Sequence, residues 1–259
     1  MFEFPYLIEI LTPKRAPAVE VKSRLQAFGE RYWRILESGS GVSIPDNPMG
    51  RPRLGALEAL ASGGLTVHPT RTVMNLNTFH NKAELDALLD AAVEAGIRNL
   101  LVVRGDGGPD LSRLAPASIG GRQSVATTMD LLRYIHHAYA GRFITGAAFN
   151  QYNPMPFETD RLQQKIAAGA QFVVTQPVIG RDRAVDALQH CGVPVVVEAW
   201  MSTNVALLYQ SVRKPPDSRA AAYDPVENLA ALHAAYPASC VYLSMLSFKQ
   251  DWDGILPRL

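Results

Sequence analysis

The sequence contains only two cysteines, Cys191 and Cys240, which lie far apart and have no C-x-x-C partner. This number and spacing give no disulfide framework and argue against a zinc or iron–sulfur site. The six histidines show no metal-ligand spacing either. We therefore expect no metal site, and the scarcity of cysteine fits a reducing cytoplasm.

The chain also lacks an excess of charge of one sign and a long apolar run. Lys and Arg number 25 against 24 Asp and Glu, so no net field would attract nucleic acid or an anionic membrane surface. No stretch reaches the length of a membrane span, and the start carries Glu3 and Glu9 without the basic segment of a signal peptide. We expect a cytoplasmic protein with neither nucleic acid nor membrane as a partner.

Short apolar runs alternate with longer amphipathic ones along the 259 residues. The apolar runs predict eight strands: Tyr6–Leu11, Gly41–Ile44, Thr72–Asn77, Asn99–Arg104, Phe143–Phe149, Phe172–Gln176, Pro194–Trp200 and Cys240–Leu246. Helical patterns lie between them, with Asn81 and Asp224 as expected N-caps. Eight such units predict an α/β fold, a (β/α)8 TIM barrel that forms a single domain over residues 1–259. A doubly wound open sheet is the alternative, but no G-x-G-x-x-G motif follows the first strand.

The end of the fourth predicted strand is the most informative segment. Its apolar run is typical of a parallel strand covered on both faces, and it leads directly into Arg104-Gly105-Asp106 and two further glycines. Parallel α/β folds bind ligands at this end of their strands, and glycines let a ligand approach the backbone. These residues predict a binding site, although an Arg-Asp pair that only fixes a surface turn is the alternative.

Other predicted strands also end in polar groups. Glu9 interrupts the first strand, and a carboxyl that is partly removed from water there suits a general acid. An ion pair at the barrel mouth is the other interpretation. Asn75 and Gln176 place amides at the ends of the third and sixth strands, while Ala148 leaves room for a flat ligand in the fifth. Because polar groups recur at so many strand ends, one shared ligand site is predicted.

Taken in order, several segments resemble the methylenetetrahydrofolate reductase family. They are Ile8-Glu9-Ile10 followed by Pro13, the block Ala95–Asp106, the helix start Ser124–Leu132, the strand piece Ala147-Ala148-Phe149, and Lys165–Gln176. The resemblance covers most of the chain. Its most specific part is the Arg-Gly-Asp strand together with the Lys165–Gln176 segment, in the same order and spacing.

The resemblance implies a TIM barrel that holds FAD at its carboxyl-terminal mouth. Such an enzyme passes a hydride to the methylene carbon of 5,10-methylenetetrahydrofolate and forms 5-methyltetrahydrofolate, while NAD(P)H, NADH among the options, reloads the flavin. It would serve one-carbon metabolism, typically methionine biosynthesis. The partner implied is a small-molecule folate, with a homo-oligomer or a partner subunit as the possible assembly.

The resemblance also implies residue roles. Glu9 is the expected general acid that protonates the departing nitrogen, and Asp106 the second catalytic residue, a charge between flavin and folate. Gln176 and Val205 would bind folate together with these two. Lys165 would lie near the flavin phosphates, as part of an expected cofactor-binding set of Asn75, Arg104, Gly105, Asp106, Ala148, Phe149, Asn153, Arg161 and Lys165.

The sequence departs from the family pattern at four positions. Asn75 stands where the family often has a histidine, Phe149 and Asn153 replace a tyrosine and a histidine, and Val205 replaces a phenylalanine that stacks on folate or nicotinamide. These departures leave open a folate-binding barrel without flavin. It could be a methyltransferase, an FAD-independent reductase or a non-catalytic subunit.

Overall fold

The computed structural model describes residues 4–15, 18–216 and 223–244. Its strands are β1 (Tyr6–Glu9), β2 (Gly41–Ile44), β3 (Thr72–Leu76), β4 (Asn99–Val102), β5 (Ile144–Phe149), β6 (Phe172–Thr175), β7 (Val195–Trp200) and β8 (Cys240–Ser244). They are parallel and pair in sequence order, and β8 pairs with β1 to close the barrel. The predicted (β/α)8 barrel is confirmed.

Helices follow the strands around the outside. They are α1 (Ala18–Glu37), α2 (Ala56–Ser62), α3 (Lys82–Glu94), α4 (Thr128–Ala138), α5 (Met155–Ala167), α6 (Arg183–Leu188), α7 (Val205–Ser211) and α8 (Pro225–Ala235), with 3-10 turns at Pro48–Gly50 and Pro116–Ile119. Asn81 and Asp224 accept amide hydrogen bonds at the starts of α3 and α8, as predicted, because short polar side chains satisfy the first helical N–H groups. In the described part of the chain, no helix is both long enough and apolar enough to cross a membrane.

The alternation of side chains along each strand creates two apolar layers. The inward rows form a core inside the barrel that includes Leu7, Val73, Leu101, Phe172 and Val196, while the outward rows pack against the helices. On β5, a Cβ at Gly146 would lie 2.2 Å from the Phe172 ring, so a glycine is needed for that ring to fill the barrel. Side chains alternate along a strand, so the next inward residue toward the carboxyl end, such as Glu9 after the core residue Leu7, faces the mouth of the barrel.

Several strands end earlier than the sequence predicts. β4 ends at Val102, so Arg104 and Asp106 lie in the following loop, where Gly105 and Gly107 adopt left-handed φ values of 81° and 71°. Residues 103 and 104 still exchange backbone hydrogen bonds with Leu76 and Thr78, and the chain turns away at Gly105, because left-handed backbone cannot continue a strand ladder. At β8, the last two residues of the predicted strand, 245 and 246, lie outside the described residues.

Candidate functional site

A cavity of about 390 Å³ opens at the carboxyl end of the barrel. The sequence-predicted residues that line it are Glu9, Asn75, Arg104, Gly105, Asp106, Ala148 and Gln176. This volume lies at the small end of the range for ligand sites. A larger groove of about 700 Å³ between α1 and α2, beside Trp33, contains none of these residues.

Glu9 is held in place by a tyrosine on the neighbouring strand. The Tyr242 hydroxyl donates a hydrogen bond to Glu9 Oε2 at 2.8 Å. A separate hydrogen bond at the same cavity runs from the Ser43 hydroxyl to Asn75 Oδ1 at 3.2 Å. Burial, together with the nearby carboxyls, raises the pKa of Tyr242 well above its usual value, so its hydroxyl keeps its proton. Glu9 thus faces the cavity in a fixed orientation.

A second carboxyl, Glu198, lines the same cavity from β7. Burial raises its pKa to about 8, the neighbouring Glu9 adds to the rise, and Ser244 opposes it. Its backbone N–H donates to Thr175 Oγ1 at 2.9 Å. The sequence shows Glu198 as an acid beside an aromatic at a strand end, but gives it no role. The signal that was missed is its place in the inward row, two residues after the core residue Val196.

Asp46 and His80 form a partly buried pair at the rim of the cavity. His80 Nε2 lies 2.6 Å from Asp46 Oδ2, and the backbone N–H of Asn77 donates to the same oxygen at 3.3 Å. Burial alone would lower the pKa of His80, but its hydrogen bond and attraction to Asp46 raise that pKa above its ordinary value. This pair, which links the loops after β2 and β3, was not assigned from the sequence.

Asp106 lies at the outer edge of the cavity and is exposed. Its Oδ2 accepts a hydrogen bond from the backbone N–H of Met49 at 2.7 Å, so it connects the loop after β4 to the turn Pro48–Gly50. A Cβ at Gly105 would lie 2.8 Å from Asn77 Cβ, and this close approach explains the glycine. Arg104 lies beside it, also exposed.

Two predicted site residues point away from the cavity. Phe149 lies on the outward face of β5, buried against α5 and α6 beside Met155 and Leu188. Because Ala148 faces inward, the strand period turns its neighbour Phe149 outward. Val205 begins α7 and packs in an apolar cluster with Trp200, so it does not line the cavity either.

The polar residues after β5 are engaged with one another. Glu158 Oε2 accepts from Asn153 Nδ2 at 2.8 Å, and Glu158 Oε1 lies 3.3 Å from Lys165 Nζ. Lys165 Nζ also donates to the Ala148 carbonyl at 2.6 Å, and burial lowers the pKa of this lysine. The Arg161 guanidinium lies 5.3 Å from the centre of the Phe157 ring.

These contacts bear on the expected cofactor. Phe149, Asn153, Arg161 and Lys165 all lie outside the cavity lining, and the Lys165 ammonium already binds a carboxylate and a carbonyl. Lys165, the cation that the resemblance places near the flavin phosphates, is therefore not presented to the cavity. Among them there is also no cluster of His, Cys, Asp or Glu that could hold a metal ion.

Comparisons with known proteins agree with the barrel fold. A yeast (Saccharomyces cerevisiae) protein, methylenetetrahydrofolate reductase 2, is 32% identical over 99 residues, which cover 36% of this chain and 16% of the yeast protein. An uncharacterised protein from Clostridium thermocellum, described as binding two copies of 5-methyl-5,6,7,8-tetrahydrofolic acid, superposes with a TM-score of 0.62 at 13% identity, over 93% of this chain and 88% of that one. A 2,3-dimethylmalate lyase structure gives a TM-score of 0.50 at 12% identity, over 93% of this chain and 76% of its own.

Both structural likenesses show the fold alone, because their identities are low. The sequence match to the yeast protein covers only 16% of its length. A sequence model of the family described as methylenetetrahydrofolate reductase, however, matches residues 29–197, more than half of the chain. That match includes the cavity residues from Asn75 to Gln176, and the chain therefore belongs to the methylenetetrahydrofolate reductase family.

Proposed function

We propose that this chain binds a reduced folate in the cavity and reduces 5,10-methylenetetrahydrofolate to 5-methyltetrahydrofolate, with NAD(P)H as the source of hydride. The observation that carries the proposal is Glu9, fixed by Tyr242 inside a cavity that also holds the amide of Gln176. Family membership and the folate-binding structural neighbour support it. The proposal includes a cytoplasmic enzyme of one-carbon metabolism whose whole chain forms one domain.

Gln176 suits recognition of the pterin ring. The edge of a pterin offers both donors and acceptors, and a neutral amide can satisfy both. The side chain of Gln151 binds the backbone of Gln176, donating to its carbonyl at 2.8 Å and accepting from its N–H at 3.1 Å. The backbone at the end of β6 is thus fixed, and the Gln176 side chain remains at the cavity wall.

In the proposed reaction, Glu9 delivers a proton to the departing nitrogen. When the five-membered ring of the substrate opens, the bond between the methylene carbon and the departing nitrogen breaks, and that nitrogen takes a proton. The carbon is left as an iminium cation, which accepts the hydride. Asp106, at the edge of the same cavity, adds a negative charge that stabilises the cation.

FAD remains the flavin expected for this family, but no step above depends on it, because four of the residues expected to bind it, Phe149, Asn153, Arg161 and Lys165, lie outside the cavity lining. A visible spectrum of the purified protein shows whether it carries a flavin. Anaerobic turnover with NADH or NADPH, measured in the presence and absence of FAD, then decides whether a flavin or the nicotinamide itself passes the hydride to the folate. Turnover only with FAD identifies a flavoenzyme, and turnover without it identifies direct transfer from the nicotinamide. Folate binding without turnover would favour the methyltransferase or non-catalytic alternative and contradict the proposed reaction.

The test of the site is Glu9→Gln, compared with Glu94→Gln on the exposed surface of α3. Titration calorimetry with 5-methyltetrahydrofolate should show both variants binding within about threefold of wild type, while Glu9→Gln lowers turnover by about two to four orders of magnitude. Turnover by Glu9→Gln close to that of Glu94→Gln would refute the assignment of Glu9. Failure of the wild-type protein to bind the folate would refute the proposed function as a whole.

A further inference from the structure

Two of the carboxyls that line the cavity, Glu9 and Glu198, come from strands that have one strand between them. Glu198 of β7 is the register partner of Tyr242 on β8, and Leu7 of β1 pairs with the same tyrosine from the other side. Glu9 is the next inward residue after Leu7. The two carboxyls therefore face the cavity on either side of β8.

The surroundings of these two carboxyls differ. Glu9 accepts the hydrogen bond from Tyr242, and the positive charge of Arg53 acts on it from the loop after β2. Glu198 interacts with the Ser244 hydroxyl and feels the negative charge of Glu9. Within the described residues, Glu198 has no ion-pair partner, whereas Glu9 has a hydrogen-bond donor that favours its charged form.

The other charged and polar groups around the cavity lie at its rim or are neutral. Thr175 faces Glu198 from β6 and contacts its backbone N–H. At the rim, Asp46 and His80 bind each other, and Asp106 binds the backbone of Met49. Glu9 is thus the carboxyl whose negative charge acts on Glu198, and the proton balance of the cavity floor depends on this pair.

We propose that Glu9 and Glu198 share one proton, which rests on Glu198, and that this pair supplies the proton of the reduction. The inference rests on the proposed function, which assigns the departing nitrogen to this cavity. In the step, the bond from methylene carbon to nitrogen breaks, its electron pair takes the shared proton, and the pair is left as two carboxylates. The hydride from the reduced nicotinamide or flavin then adds to the carbon, and a proton from water restores the pair.

Two physical arguments support the sharing. Two carboxyls in a site of low dielectric do not both ionise easily, so the one without a charge-stabilising partner keeps the proton. Burial raises the pKa of Glu198 to about 8, which keeps it protonated at neutral pH. Once the proton has left, the two negative charges stabilise the iminium cation that forms at the same moment.

The first test needs no folate. In protein labelled with carboxyl-13C glutamate, NMR should show one glutamate titrating near pH 8, absent in Glu198→Gln. In Glu9→Gln that titration should move to lower pH, because a neighbouring negative charge is removed. In Ser244→Ala it should move to higher pH, because a hydrogen bond to the charged form is removed. Titration of Glu198 in the ordinary range near pH ~4.3 would overturn the proposal.

The second test is the pH profile of turnover. Wild-type activity should fall at alkaline pH, near pH 8, as the shared proton is lost. Glu198→Gln should lower turnover at pH 7 by about ten- to a hundredfold and move the alkaline limb to lower pH, whereas Glu94→Gln should change neither. If Glu198→Gln leaves both the turnover at pH 7 and the alkaline limb of the pH profile unchanged, the proposal of a shared proton is overturned, while the proposed reductase activity stands. Absence of wild-type turnover, with the NMR result as expected, would overturn the proposed reaction and leave the shared proton standing.

Discussion

Replacement of Lys165 by Met gives a sharp test of the role of this lysine. Its ammonium lies 3.3 Å from Glu158 Oε1 and 2.6 Å from the Ala148 carbonyl, and its side chain is 7% exposed against 3% for that of Glu158. Removing one member of a buried ion pair leaves the other charge without compensation, which costs about 3–5 kcal/mol.

The lower end of that range is expected for this pair. In Lys165→Met, Glu158 keeps two hydrogen-bond donors, the Asn150 N–H at 3.2 Å and Asn153 Nδ2 at 2.8 Å. These donors still stabilise the charge, so we expect a loss of about 3 kcal/mol in the free energy of unfolding. For a chain of this size, that corresponds to a fall in Tm of about 6–12 °C.

Urea denaturation followed by circular dichroism measures this difference. The double variant Lys165→Met with Glu158→Gln should recover more than half of the loss, because no buried charge then remains unpaired. A loss below about 1 kcal/mol in Lys165→Met, combined with weaker FAD binding, would refute the structural role and favour the flavin-phosphate role that the sequence implies.

Three further predictions concern the rim and the floor of the cavity. Asp106→Asn should keep the contact with Met49 and the protein's stability but lower folate turnover by about ten- to a hundredfold in steady-state assays; unchanged turnover would mean that its charge does not act on the reaction. The pKa of His80 is raised by Asp46, so its stabilising contribution is complete at low pH and is lost as the pH rises through that raised pKa. The difference in unfolding free energy between wild type and His80→Gln should therefore be larger at about pH 6 than at about pH 9, and equal differences would contradict it. Gly146→Ala should cost about 1–3 kcal/mol in urea denaturation because its Cβ meets the Phe172 ring, and a cost below about 0.5 kcal/mol would show that the ring moves aside.

The fold could be predicted from the sequence almost in full. Predicted apolar runs of four to seven residues, bounded by glycines and caps, overlap all eight strands, and the limits of β2 are those predicted. Errors are confined to strand ends such as Asn99–Arg104, where the backbone leaves the ladder at a left-handed glycine. Such an end depends on φ values that a hydrophobic pattern does not encode.

The site was harder to predict, because neighbouring residues at the end of a strand point to opposite faces of the sheet. Ala148 and Phe149 are neighbours, yet one lines the cavity and the other packs against α5 and α6. Lys165 carries a charge that looks available to a ligand until Glu158, seven residues earlier, is seen to bind it. The direction of a side chain and the identity of its partner are properties of the assembled barrel.

The strand order of the barrel places the proposed binding and proton-transfer groups on the same side of the cavity. Glu9, Glu198 and Gln176 belong to β1, β7 and the end of β6, and these strands, with β8 between β7 and β1, form one continuous arc of the closed barrel. Leu101 lines the cavity from β4, across the barrel from this arc. Under the proposed function, a pterin held by Gln176 therefore lies beside the arc that carries the carboxyls, so the residues that bind the ring also orient it for ring opening.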